Sequence, residues 1–183
     1  RHHISHLQLI HPDGYPRFRQ LGVAANFQAL WAFPDAYITD VNLPVVGQER
    51  VDRMYPIASI HRQGGTVVGG SDWSVSSMNP LRAIETAVTR QDPESLDPAD
   101  PVLNEMERVP LPVMPAAYTP NGAELMRQES RGGRIGVGKR ADLVALERNL
   151  FEVDPRAIGE VEVVLTLLGG RTVYERAAAP AQQ

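Results

Sequence analysis

The chain has no cysteine, which excludes disulfides and thiolate metal sites alike, so any metal must be held by histidine and carboxylate groups. It also lacks a basic cluster. Its 18 Lys+Arg are scattered among 22 Asp+Glu, for a formal charge of −4, and this leaves no electrostatic footprint for a polyanion such as nucleic acid. No apolar run approaches the roughly 18 residues of a membrane span, and no charged-then-apolar signal pattern opens the chain. No membrane partner is expected, and the cytoplasm is the default location. At 183 residues the chain falls short of a complete eight-stranded parallel barrel, typically about 250 residues. It suits one sizeable core, or one domain plus a piece of another. With 43% hydrophobic and 22% charged residues, its composition is that of a folded globular protein.

Against those absences stands the run Thr66-Val67-Val68-Gly69-Gly70-Ser71-Asp72-Trp73. Val67 and Val68 are β-branched and favour a strand, and the two glycines allow close packing or unusual backbone angles. Asp72 then falls at the rim beyond the strand, where the loops of parallel α/β folds gather around ligands. An aspartate after a strand also serves simply as a helix N-cap or turn former. Here Asn79-Pro80 offers the better start for a helix over Pro80 to Arg90, which leaves Asp72 free of that duty.

Along the chain, His3 to Ile10 predicts a strand. Pro12-Asp13 opens a helical stretch to Gln20 with Gly22 as its C-cap, and Val23 to Gln28 predicts a second strand. A long connection from Ala29 to Val46 follows, of a length usually functional or mobile. Gln48 to Arg62 has helical spacing with a kink at Pro56, Gly64-Gly65 ends it, and Thr66 to Gly70 is the third strand. Strands alternating with helices indicate a parallel sheet with crossover helices. Gln91 to Pro115 is rich in proline and acid and reads as a surface excursion or linker. Thr119-Pro120 begins another helix by the N-cap and first-position logic of Asn79-Pro80. Beyond Gly132-Gly133 the pattern becomes short strands at Asp142 to Leu146, Val161 to Leu168 and Thr172 to Tyr174, with Gly169-Gly170 as a hairpin signal. The tail from Ala177 to Gln183 is expected to fray.

Four segments taken in order carry a resemblance over nearly the whole chain: Arg1-His2-His3-Ile4-Ser5-His6-Leu7-Gln8-Leu9-Ile10, Gly70-Ser71-Asp72-Trp73, Tyr118-Thr119-Pro120-Asn121-Gly122-Ala123, and the stretch from Gly133-Arg134-Ile135-Gly136 to Asp142-Leu143-Val144. Together they resemble the C-terminal part of metal-dependent amidohydrolases, and more narrowly the amidohydrolase 3 group that includes N-substituted formamide deformylases. The resemblance implies an α/β fold. Residues 1–131 would be the C-terminal part of a (β/α)8 TIM barrel, about strands six to eight, and residues 132–176 part of a small β-sandwich, with 177–183 a flexible tail. It implies that His6 matches the strand-six metal ligand and Asp72 the strand-eight aspartate, which touches the metal and handles the proton. The cofactor would be a divalent metal, zinc foremost, and the substrate a small amide or formamide. Ser71 and Trp73 flank Asp72 as candidate substrate-binding residues. Ser74 departs from the proline common after this tryptophan in the group. The family's remaining ligands come from strands that would precede Arg1, so the resemblance implies a chain that turns over little alone.

Other candidates read more plainly. His2 shares a face with His6 on an extended strand but lies ~13 Å along it, and His3 points the other way. His11 suits the start of the following helix, and His61 a structural place on a helix. Asp35, Asp40, Asn42 and Arg50 read as solvated loop residues, and Asp142 as structural in the small β domain. Two functions follow: part of a hydrolase of non-peptide C–N bonds, or a non-catalytic interaction module. An incomplete parallel barrel exposes unpaired edges, which predicts a homo-oligomer or pairing with an N-terminal half.

Overall fold

The computed structural model describes residues 1–95, 97 and 99–177; of the expected frayed tail, residues 178–183 lie outside that set. Strand β1 (His3–Ser5), helix α1 (Tyr15–Leu21), strand β2 (Ala24–Phe27), three short helices α2 (Leu43–Val46), α3 (Gln48–Val51) and α4 (Ile57–Arg62), and strand β3 (Val67–Gly69) follow in order. Strands alternate with helices as expected, but the single kinked helix expected over Gln48 to Arg62 is two helices, α3 and α4, separated by residues 52–56. The three strands form one parallel sheet in the order β1-β2-β3. Ser5 lies opposite Asn26, and Phe27 opposite Gly69. The register brings the ends of all three strands to one rim.

Local chemistry sets the boundaries. Gly22 ends α1 in the left-handed region at φ 61° and donates its N–H to the last carbonyls, the conformation for which a C-cap glycine is suited. Asn79 caps helix α5 (Pro80–Thr89), its side chain accepting from Leu81 N at 3.0 Å, with Pro80 at the first position. Thr119 stands before Pro120 at the start of helix α7 (Pro120–Leu125) but makes no side-chain cap. Its hydroxyl instead donates to Pro115 O at 2.6 Å, in the preceding helix α6 (Val113–Tyr118). The long connection after β2 contains a 3-10 turn at Ala29–Trp31, a π-helix at Tyr37–Asn42, and α2.

Two further expectations are corrected. The first strand stops at Ser5 rather than running to Ile10, because His6 and Leu7 take φ of 70° and 52°, outside the extended region. The Gln91–Pro115 stretch is no loose excursion. Leu103 and Val109 are buried, and the fully buried Arg90 guanidinium clamps the segment, donating to Leu103 O at 2.9 Å, Met54 O at 2.9 Å and Tyr55 O at 3.3 Å. Burial lowers the pKa of Arg90 to about 10, so it remains a cation at neutral pH.

The core lies on the helical side of the sheet, where Phe18, Ala25, Phe27, Ile60, Val67, Ile84, Met114 and Ala117 pack together. Gly69 is required there: a Cβ would come within 2.5 Å of the Tyr118 ring. A second sheet is antiparallel, in the order β4 (Leu143–Leu146), β5 (Val163–Leu168), β6 (Arg171–Glu175). Gly169 and Gly170 turn the β5–β6 hairpin with φ of 59° and 79°, the paired positive values that tight hairpins require. Asp142 is structural, accepting from Gly169 N at 2.7 Å and pairing with Arg140 at 3.0 Å. Among the described residues, no helix is long and apolar enough to cross a membrane.

Candidate active site

His6 is the first residue beyond β1, and Asp72 follows β3 by three positions. The parallel register sends both toward the same rim, and the fold brings their side chains together: His6 Nε2 lies 3.9 Å from Asp72 Oδ2. That separation is too long for a hydrogen bond. It is shorter than two consecutive metal–ligand bonds of about 2.0–2.2 Å each, so one cation could touch both atoms. The side chains are 52% and 40% exposed, open enough for water or a small substrate to reach them. The nitrogen and carboxylate donors suit a divalent metal. The pair offers two donors only; among the described residues, no group of three or more His, Asp or Glu side chains could hold an ion.

Both residues stand in the left-handed region, His6 at φ 70° and Asp72 at φ 54°. For non-glycine residues such angles cost roughly 1–3 kcal/mol each and persist where the surroundings enforce them. Around His6 the enforcing contacts are Gln28 Oε1, which accepts the His6 N–H at 2.9 Å, and the burial of Leu7. The His6 ring also packs against Trp31, with centroids 5.2 Å apart. Around Asp72 they are turn contacts. Val75 N donates to Asp72 O at 2.7 Å, Trp73 N donates to Ser71 Oγ at 3.3 Å, and the Ser76 hydroxyl donates to Ser71 O. Ser71 and Trp73 thus shape the loop that presents Asp72, and Trp73 itself is largely exposed. The Trp73–Ser74 peptide is cis.

A cavity of about 600 Å³ shares Trp31 with the pair: Trp31 lines the cavity and packs against the His6 ring, while His6 and Asp72 themselves are not among its lining residues. Phe33, Tyr37 and Tyr55 contribute aromatic wall, Val75 and Ser76 come from the Asp72 loop, and the Arg82–Glu94 ion pair at 2.6 Å closes one side. Burial, with Asp35 adding, pushes the Tyr55 phenol up to about 12, so it is a neutral hydrogen-bonding group at any physiological pH. His2 and His3 lie at the start of the chain, His3 as the first residue of β1, and neither pairs with Asp72 as His6 does. His11 caps the 3-10 turn at Pro12–Gly14, its Nδ1 accepting from Asp13 N, and His61 sits in the last turn of α4. Asp35 accepts from Ile38 N at 2.9 Å, a turn role on the cavity wall.

The sequence reading passed over Asn26, Gln28 and Trp31. The first two had a signal: they are polar residues two apart in an apolar strand, and so share the face opposite Ala25 and Phe27.

A family model described as the amidohydrolase family matches residues 1–174. This chain belongs to the amidohydrolase family. It is similar to YtcJ of Bacillus subtilis (strain 168), a candidate amidohydrolase, at 26% identity over 174 residues, covering 94% of this chain and 32% of that protein. It is 30% identical over 177 residues to the Arabidopsis thaliana protein LONG AFTER FAR-RED 3, covering 95% of this chain and 29% of that protein. It is 28% identical over 131 residues to an N-substituted formamide deformylase of Arthrobacter pascens, covering 68% of this chain and 22% of that enzyme. The chain therefore spans about a third or less of the length of these relatives. Among solved structures it resembles a metal-dependent hydrolase from Pyrococcus horikoshii OT3, with a TM-score of 0.69 at 20% identity over 84% of this chain and 30% of that one. It also resembles a Xanthomonas campestris adenosine deaminase with bound zinc, with a TM-score of 0.62 at 15% identity over 99% of this chain and 38% of that one. At such identities the likeness establishes the fold, that of the metal-dependent hydrolases.

Proposed function

We propose that this chain is part of a hydrolase of non-peptide carbon–nitrogen bonds, acting on a small amide or formamide. In this reading residues 1–131 supply about strands six to eight of a (β/α)8 barrel, and residues 132–176 part of a small β-sandwich. The protein acts in the cytoplasm, with neither nucleic acid nor membrane as partner. His6 and Asp72 would hold a divalent metal, zinc foremost, which when bound would lower the pKa of water to about 7 and polarise a carbonyl. Asp72 accepts the proton of the attacking water and returns it to the departing nitrogen as the C–N bond breaks and the C–O bond forms. Ser71 and Trp73 hold the substrate at the rim, and the aromatic cavity beyond Trp31 takes its apolar part.

The observation that carries this reading is the 3.9 Å approach of His6 Nε2 to Asp72 Oδ2 across two strand ends. In the full-length protein, Asp72→Asn should lower kcat on amide substrates about 10²–10⁴-fold, the range for a lost acid–base group, and His6→Ala should lower it as well, through loss of a metal ligand. Unchanged turnover in both variants would end the proposal. The alternative, a non-catalytic interaction module, is favoured by the one-sided pairing of β1, where Ile4 is half exposed beside Leu21 and Val23.

A further inference from the structure

We infer that Gln28, the residue just past β2, is a positioning residue that sets the spacing of His6 and Asp72 from a place between them. This rests on the reading of His6 as a metal ligand. The Gln28 side chain is neutral and only 3% exposed. Its Oε1 accepts the backbone N–H of His6 at 2.9 Å, and its Nε2 donates to Asn26 Oδ1 at 3.4 Å. Asn26 Nδ2 in turn donates to Ser5 Oγ at 3.3 Å, tying the network back to the end of β1.

On its other flank the same amide meets the segment that leads to Asp72. A Cβ on Gly70 would fall 3.0 Å from Gln28 Nε2 and 2.9 Å from Asn26 Oδ1. Gly70 therefore lets the backbone of that segment lie directly against the Gln28–Asn26 pair, two residues before Asp72. One buried amide thus bonds to the backbone of the first site residue and packs against the backbone approach to the second. Without an acceptor for its N–H, His6 would have less reason to hold φ 70°, and its ring would swing with the backbone. A hydrocarbon at position 28 would fill the space and lose that bond. A carboxylate at position 28 would keep an acceptor.

Zinc affinity of the full-length protein, measured by competition with a chromogenic chelator, tests this without recourse to activity. Gln28→Leu should weaken zinc about 10–100-fold, the usual cost of removing a partner that orients a ligand, and Gln28→Glu should restore most of the loss. Gly70→Ala, whose backbone angles any residue can adopt, should weaken zinc in the same direction by pushing on the amide, and it carries the test if Gln28→Leu does not fold. Hydrogen exchange supplies a second readout: the His6 amide should be protected in the parent and in Gln28→Glu, and exchange faster in Gln28→Leu. Parent-like zinc affinity in folded Gln28→Leu, or in Gly70→Ala where Gln28→Leu fails to fold, overturns the inference. The control is His6→Ala. If it weakens zinc while the position 28 and 70 variants do not, only the role of Gln28 falls; if it leaves zinc unchanged, the ligand reading falls first.

Discussion

Glu85 is a carboxylic acid on the core side of α5, 2% exposed, accepting among the described residues only the Gly159 N–H, at 2.7 Å on Oε2. Burial pushes its pKa up to about 7, against the pull of that hydrogen bond and of Arg156. The folded state therefore holds this proton more tightly than the unfolded chain, where the group titrates near 4.5. The associated stability is full below pH 4.5 and is lost as pH rises through 7. Glu85→Gln keeps an acceptor for Gly159 and removes the buried charge. It should stabilise the protein by on the order of 2 kcal/mol at pH 8 and by almost nothing at pH 4, read from urea midpoints at the two pH values. Arg90 makes the opposite case. Removing its guanidinium leaves the Leu103 and Met54 carbonyls without that donor, while Tyr55 O keeps the Ile57 N–H at 2.7 Å, so Arg90→Met should cost about 2 kcal/mol or more, with a matching fall in the denaturation midpoint.

At the scale of the element, caps and close contacts set the ends. Asn79→Ala removes the α5 cap and should lower stability by about 1 kcal/mol. Gly69→Ala drives a methyl into the Tyr118 ring and should cost about 1–3 kcal/mol, both measurable by thermal unfolding. Features with a local cause were legible in the sequence: the Asn79-Pro80 start, the Gly22 stop, the Gly169-Gly170 hairpin and the three parallel strands. Features decided by distant partners were not. The first strand ends at Ser5 because a side chain 22 residues away captures the His6 N–H, and the apolar spacing of Leu7, Leu9 and Ile10 does not record that event. Thr119 forgoes its cap because α6 ends one residue earlier and offers the Pro115 carbonyl. Leu103 is held by Arg90 and Val109 by the Ala87 carbonyl, contacts with α5 and its C-cap that no proline-rich composition announces. In the candidate site, the approach of His6 to Asp72 was expected from motif resemblance, and the aromatic cavity was not, since its wall comes from at least five separate segments.

At the scale of the molecule, three parallel strands make a rim without closing a barrel. The outer edge of β3 is covered where Asn121 Nδ2 donates to Val67 O at 2.9 Å, while β1 pairs on one side only among the described residues. Open edges of this kind recruit further strands. The 183-residue chain by itself should therefore self-associate, and a dilute monomer in sedimentation velocity would count against that expectation. It should also bind zinc weakly, having two ligands where catalytic zinc has three from protein. The central claim is that His6 and Asp72 share one ion, and an anomalous difference map at the zinc edge from crystals of the full-length protein tests it most directly. The account predicts a peak about 2.0–2.2 Å from both His6 Nε2 and an Asp72 carboxylate oxygen; a bound zinc that touches neither residue would contradict it.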